Sequence, residues 1–300
     1  MSLPLGTAYI NQEFVPIEEA KISILDWGFL RSDATYDVVH VWKGRFFRLD
    51  SHIDRFIESA SRIHLTLPVD RPGLEKILAE CTSRSGHDNA YVEMILTRGV
   101  SPAFSRDPRD AENQLICFAI PFGWILPPED RHRGLAVAIS DIQRIPPESV
   151  DPRVKNYHWL DFVMGLYDAF ARGSTNVILR DGSGNLTEGP GFNVFVVKNK
   201  VIATPNRGVL EGITRRSVIE LAGELGLTME QRAVTVDETL GADEIFATST
   251  AGGIMPITKI DNLPVSDGVM GDITKRLLDA YWDRHVDPQF SISVAEILCR

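Results

Sequence analysis

The sequence predicts two domains of mixed α/β layers, α+β rather than doubly wound. Three observations predict it. The length of 300 residues exceeds one ordinary domain. Runs of β-branched and aromatic residues with hairpin turns alternate with helical periods. One proline-rich, charged stretch without apolar period, "ILPPEDRHRG", interrupts the pattern. It divides the chain into a smaller first domain at 1–128, a linker at 129–134 and a larger second domain at 135–300.

In the first domain, short strands mix with two helices. "AYINQEFVP", "YDVVHVWKGRFFRL" and "NAYVEMILTRG" read as strands, with "WKGR" as a hairpin turn. "DSHIDRFIESASRIHL" sets Ile53, Phe56, Ile57 and Ala60 at helical spacing behind Asp50 or Ser51 as cap. "LICFAIPFGW" is a further strand. The second domain opens on the strand "LAVAISDIQRI". A helix follows with Trp159, Phe162, Val163, Leu166, Tyr167 and Phe170 on one expected face and Asn156 as its cap. "NVILRDGSGNLTEGPGFNVFVVKNKVIATP" gives three strands, "GITRRSVIELAGELG" a helix introduced by glycine, "EIFATSTAGGIMPI" a strand breaking into a small-residue loop, and "GDITKRLLDAYWDRHV" a closing helix.

Charge and composition remove several classes. A formal net charge of -10 leaves no basic footprint for nucleic acid or an anionic membrane. Cys81, Cys117 and Cys299 are odd in number and far apart, so neither a disulfide framework nor a zinc site is expected. No apolar run is long enough to span a bilayer, and "MSLPLGTAYINQEF" lacks the regions of a signal peptide, so a cytoplasmic protein is expected. HExxH, GxGxxG and GxxxxGK[ST] are all missing, which disfavours a metal centre or a nucleotide site.

The chemistry is carried by a few positions. Of eight lysines, Lys155 alone stands between apolar neighbours, Val154 on one side and Tyr157 and Trp159 on the other. Desolvation makes such an amine nucleophilic, which suits a Schiff-base lysine; an exposed loop lysine beside a packed helix is the competing reading. Two stretches offer anion sites. Gly212, Ile213 and Thr214 open a helix whose first N–H groups and dipole attract phosphate. Ser249, Thr250, Ala251, Gly252 and Gly253 can form a nest of N–H groups beside a hydroxyl. Each also suits a plain turn. Together with the lysine they point to a phosphate-bearing aldehyde. Glu188, before Gly189, Pro190 and Gly191, is a carboxylate that needs a partner if buried, and the protonated ring nitrogen of pyridoxal phosphate is such a partner. A solvated loop glutamate is the alternative. Arg55 is a candidate for a charge-assisted bond to the phosphate, or a surface helix residue.

These stretches also carry a resemblance. In "SDATYDVVHVWKGRFFRLDSHIDR", "DPRVKNYHWLDFVMG", "LTEGPGFNVF", "GVLEGITRRSV" and "EIFATSTAGGIMPIT" the chain resembles the fold-class IV pyridoxal-phosphate enzymes. That group holds branched-chain aminotransferases, D-amino-acid transaminases, aminodeoxychorismate lyases and (R)-selective amine transaminases, and the likeness is strongest to the last. The resemblance spans nearly the whole chain. It implies a two-domain D-amino-acid aminotransferase-like fold with pyridoxal 5'-phosphate between the domains, in a homodimer. It also implies a Schiff base at Lys155, a pyridinium partner at Glu188, phosphate ligands at Arg55, Ile213, Thr214 and Thr250, and Leu210 against the ring. The expected reaction passes an amino group from an amine or amino acid to a 2-oxo acid by ping-pong steps, with Lys155 moving the proton. The donor expected is an (R)-amine or D-amino acid; a branched-chain L-amino acid and an aminodeoxychorismate lyase stand as alternatives. For the substrate, Tyr36, Val38 and His40 alternate along one strand and are read as pocket lining, together with Thr250 and Ala251. Arg31 stands where the amine transaminases usually carry histidine, and an arginine there suits a substrate carboxylate or, equally, the surface. "TRGVSPAFSRDPRDAEN" resembles the loop that supplies a carboxylate-binding arginine, with Arg98, Arg106 and Arg109 as candidates.

Overall fold

The computed structural model describes residues 4–300; residues 1–3, at the head of the stretch read for a signal peptide, lie outside the described residues. The chain divides into two compact units. The first comprises the residues through Gly123, Val154–Tyr157 and Arg284–Arg300, and the second Trp124–Arg153 and His158–Asp283. This departs from the division at 1–128 and 135–300, because Lys155 is carried by the first unit and the supposed linker by the second. Backbone bonding explains the first difference: the Lys155 carbonyl accepts the Tyr36 N–H at 3.1 Å and the Thr35 hydroxyl at 2.8 Å. Leu126 explains the second, being buried in the core of the second unit.

The first unit is an antiparallel sheet with two helices on one face. Its strands are β1 (Thr7–Ile10), β2 (Glu13–Pro16), β3 (Ala34–Trp42), β4 (Arg45–Phe47), β5 (Ala90–Val100) and β6 (Glu112–Pro121). The order among the described residues is Ser291–Ser293, β4, β3, β5, β6, β1, β2. A one-turn helix α1 (Trp27–Arg31) precedes β3, and α2 (Leu49–Arg62) and α3 (Arg71–Ser85) bury Ile53, Phe56, Leu74 and Leu78 against Val39, Val41, Val92 and Met94. β3 thus sends Asp37, Val39 and Val41 toward the helices and Tyr36, Val38 and His40 to the opposite face, as a strand's period of two requires. The expected caps of α2 are corrected: it starts at Leu49 with Arg48 in the left-handed region, and Asp50 lies inside the first turn. Burial of Leu49 pulls the start forward. A second helix is expected without a place in the sequence; α3 lies on this face, capped by Asp70 accepting the Gly73 N–H and closed by Gly86.

The second unit is a mixed sheet. Its strands are β7 (Leu135–Gln143), β8 (Asn176–Arg180), β9 (Glu188–Gly189), β10 (Phe192–Lys198), β11 (Val201–Thr204), β12 (Thr228–Gln231), β13 (Glu244–Ser249), β14 (Gly253–Ile260) and β15 (Leu263–Pro264). They run in the order β12, β11, β10, β13, β14, β7, β8, with β9 on β10 and β15 on β14. Helix α4 (Leu160–Ala171) packs on β7 and β8, while α5 (Ile213–Glu224) and α7 (Asp272–Asp283) pack on each other and on β13; α6 (Val236–Leu240) is a short turn between β12 and β13.

The expected face of α4 is corrected too. Phe162, Gly165 and Ala169 face the core, whereas Val163, Tyr167 and Phe170 are exposed on the other side with Leu160 and Met164. At 100° per residue the five positions 162, 163, 166, 167 and 170 do share one arc of about 140°, but the sheet meets only its Phe162 edge and the adjoining Gly165 and Ala169 side, so the rest of the apolar arc is left in water. Its cap position is Trp159, and Asn156 instead donates from its side-chain amide to the Val154 carbonyl. Among the described residues no helix is long and apolar enough to cross a membrane, and no group of three or more His, Cys, Asp and Glu gathers as for a metal.

Candidate active site

In the first unit, β3 organises the chemistry on both its faces. Toward α2, Arg55 grips Asp37 through two bonds, Nε to Oδ2 at 2.7 Å and Nη2 to Oδ1 at 2.9 Å, while His52 Nδ1 lies 2.8 Å from Oδ1. Burial alone would raise the Asp37 carboxyl; the Arg55 charge and the His52 contact reverse this and hold it well below the usual carboxylate range. Arg55, the expected phosphate ligand, is therefore oriented by a buried carboxylate that no sequence motif marks.

On the other face stands the expected lysine. Lys155 Nζ lies 4.4 Å from the centroid of the Tyr36 ring. Tyr36 stacks on Tyr157 with centroids 4.3 Å apart and planes at 14°. The Tyr157 hydroxyl donates to Glu93 Oε1 at 2.7 Å. Glu93 stands opposite Val38 in the β3–β5 register and is buried. Burial pushes its carboxyl up, against the pull of the Tyr157 and Tyr91 hydroxyls and the Lys155 charge. Lys155, Tyr36 and Val38 therefore belong to one patch, and Glu93, Tyr91 and Tyr157 are additions to it. His40 has a different setting. It is fully buried, Nε2 to Nε2 with His285 at 2.7 Å, in a ring cluster with Phe47 and Phe122.

The arginines separate by partner. Arg98 is consumed by Asp33 and by the Ile63 and His64 carbonyls, and Arg109 by Asp107. Arg31 is exposed, its guanidinium 3.6 Å above the Trp27 ring. Arg106 is exposed and forms no ion pair among the described residues.

In the second unit, Glu188 is buried on β9. Its Oε2 accepts the Leu210 N–H at 2.9 Å and the Asn193 side-chain amide at 3.4 Å, and its Oε1 faces Arg144 at 3.4 Å. Arg144 is shared with Asp161 at 2.6 Å and lies over the Phe162 ring. Asn193 also donates to the Leu210 carbonyl at 2.9 Å, which pins the turn leading to α5. Gly212 caps that helix, and a Cβ there would run into Asn193 Oδ1. Ile213 and Thr214 follow in the first turn, where N–H groups have no intrahelical acceptor. The other expected anion site is the tight hairpin between β13 and β14. Ser249 pairs with Gly253, and Ser249 Oγ accepts the Ala251 N–H at 3.2 Å. Tyr281, unremarked in the sequence, ties the two together: its hydroxyl is 3.4 Å from Thr214 Oγ1, and its ring lies against Gly253.

These residues fit the implied cofactor on structural grounds. A buried carboxylate is held by fixed donors, a helix starts at a glycine where a Cβ would displace Asn193, and an amine stands on an aromatic wall.

The comparisons agree. The family model for class IV amino-transferases matches residues 34–260, so the chain belongs to that family, whose members use pyridoxal 5'-phosphate. A putative branched-chain-amino-acid aminotransferase of Methanocaldococcus jannaschii is 33% identical over 278 residues, covering 92% of this chain and 95% of that protein. A D-alanine aminotransferase of Bacillus licheniformis is 31% identical over 273 residues, covering 90% and 94%. Among solved structures, the T.th. branched-chain amino acid aminotransferase with pyridoxamine 5'-phosphate superposes with a TM-score of 0.91 at 28% identity, covering 98% of this chain and 100% of that one. The protein is an aminotransferase, and its two-sheet α/β fold is that of these enzymes.

Proposed function

We propose that the chain transfers the amino group of an (R)-amine or D-amino acid to a 2-oxo acid, as a cytoplasmic homodimer. The observation that carries the donor is the make-up of the Lys155 face: Tyr36, Val38 and Tyr157 backed by the buried Glu93. An aromatic wall backed by an acid that burial biases toward its neutral form receives an uncharged substituent better than a carboxylate, whose desolvation it does not offset. The branched-chain reading has its own support in the names of similar proteins.

When bound, pyridoxal phosphate supplies an aldehyde for the amino group and an electron-withdrawing ring. Lys155 is the residue that holds the aldehyde between turnovers and moves the proton at the donor carbon bearing nitrogen. Glu188, kept in place by Leu210 and Asn193, holds the ring nitrogen's proton. Arg55, the start of α5 at Gly212, Ile213 and Thr214, and the Ser249 and Thr250 hydroxyls take the phosphate. Thr250 and Ala251 border the substrate, and Arg106 is the arginine left over for the carboxylate of the 2-oxo acid. Each unit also presents apolar side chains to solvent: Ile24, Leu25, Phe29 and Leu30 in the first, and Leu160, Met164, Tyr167 and Phe170 in the second. Patches of this kind mark surfaces that a second copy covers.

The test mixes purified holoenzyme, without acceptor, with (R)- or (S)-1-phenylethylamine, D-alanine or L-leucine and follows loss of the cofactor's visible absorbance. Bleaching by the (R)-amine or D-alanine is expected, and none in Lys155→Ala. Bleaching by L-leucine alone would replace this donor with a branched-chain one.

A further inference from the structure

Arg131 is the most unusual cation of the second unit. Its guanidinium carbon lies 5.4 Å from the ring centroids of both Trp124 and Trp282, and those two indoles touch each other with centroids 5.5 Å apart. Nε and Nη2 are buried and have no hydrogen-bond partner among the described residues. Burial lowers the Arg131 pKa, and the Asp279 charge offsets only part of this. A charge buried with so few partners is costly unless something else holds it. Here two aromatic faces do. Arginine suits such a place, being planar and weakly hydrated. Nε and Nη2, without accessible surface, cannot reach a solute.

What the cluster touches is the hairpin between β13 and β14. Next to Trp124, the Ile125 N–H donates to the Ala251 carbonyl at 2.8 Å. Trp282 lies against Gly253, where a Cβ would come within 3.1 Å of the indole. The two indoles that hold Arg131 are therefore coupled to the two ends of the segment 251–253, one through the neighbouring peptide and one by direct packing.

Given the assignment of Thr250 and Ala251 to the substrate side above, we propose that Arg131 is a positioning residue: its cation locks Trp124 to Trp282 and thereby fixes the Ala251 peptide that borders the substrate.

The experiment uses holoenzyme of wild type, Arg131→Lys, Arg131→Met, Trp282→Leu and the double variant Arg131→Met/Trp282→Leu. The amino form of the cofactor is mixed with pyruvate, and the apparent dissociation constant and maximal rate of the half-reaction are read separately. Arg131→Met fills the space without the charge. It is expected to raise the pyruvate constant about tenfold with the rate within about twofold. Arg131→Lys, which keeps the cation, should stay within about threefold of wild type, and the double variant should be no worse than the poorer single one. An unchanged constant in Arg131→Met, equal losses in the lysine and methionine variants, or additive effects in the double variant each overturn the proposal. Ala251→Val separates the two assumptions, since it leaves Arg131 alone: if it does not raise the pyruvate constant, the placement of Ala251 beside the substrate is what fails.

Discussion

Asp37 and Glu93 are two buried carboxylates of one unit whose surroundings push them in opposite directions, and each yields a prediction. Asp37 is held down by Arg55 and His52, so the folded state favours its ionised form. That stabilisation is present above the unfolded value of about 3.9 and drains away as pH falls below it. Asp37→Asn should cost about 3 kcal/mol at pH 7, because it removes the buried charge that the half-buried Arg55 faces. It should also flatten the acid limb of urea-unfolding stability below about pH 4; an unaltered acid limb would show that the pair does not set it. Glu93 has the opposite sign. Its raised carboxyl favours the protonated form, so its contribution is present below the unfolded value and is lost as pH rises through the raised folded one. Glu93→Gln keeps an acceptor for Tyr157 and should gain stability relative to wild type as pH rises toward 8. Where rising pH ionises the wild-type carboxyl, it should also raise kcat/KM for D-alanine relative to (R)-1-phenylethylamine, because that charge behind the wall is then missing from the variant; equal changes for both donors would confine Glu93 to packing. Lys155 and Glu188 could be singled out in the sequence because their residue types and immediate neighbours carry a signal. Glu93, Arg144 and Tyr281 were not, because each acts through a partner 64, 44 or 67 positions away.

At the scale of elements, the strand and helix runs that carry the site were readable from period and glycine placement, and the errors came from burial. Helix α4 shows why: periodicity identifies a helix but not which side meets the sheet when both sides are apolar. What decides is Gly165, where a Cβ would lie 2.7 Å from Leu179, so only this face can approach β8 closely. The two stretches read as anion sites lie at the start of α5 and in the turn after β13, yet no local pattern marks Asn193, which links Glu188, Leu210 and Gly212 across that start. Gly212→Ala tests the link. The new methyl would displace the Asn193 side chain, freeing the Leu210 carbonyl and taking one donor from Glu188. We expect at least a tenfold weaker hold on pyridoxal phosphate, measured by equilibrium dialysis, with α5 itself intact by circular dichroism. Unchanged cofactor affinity would remove Asn193 from the account.

Across the whole molecule, the sequence indicated two compact units but misassigned the lysine segment, because extended backbone pairing with Thr35 and Tyr36 leaves no mark in hydrophobic pattern. A net charge of -10 keeps copies apart at long range, so association has to be driven by local apolar contact. Two places offer it. Phe29 is 65% exposed in the first unit and Tyr167 67% exposed in the second. Apolar side chains left in water at this level are explained singly by chance, but Tyr167 continues a stripe with Leu160, Met164 and Phe170 along one helix. Burying such a stripe contributes roughly 25 cal/mol per Å² of apolar area removed from water. A carboxylate placed in its middle forfeits that and adds a desolvation cost, and in a two-fold contact the change is made on both partners. If the proposed dimer forms through this stripe, Tyr167→Glu shifts it to monomer in light scattering behind size exclusion at micromolar concentration. Phe29→Glu should do the same if the first unit's patch lies in the same contact. Raising ionic strength should not restore the dimer of either variant, since the lost term is apolar. A wild-type chain that is already monomeric, or a Tyr167→Glu chain that stays dimeric, would show that these faces are not where two copies meet.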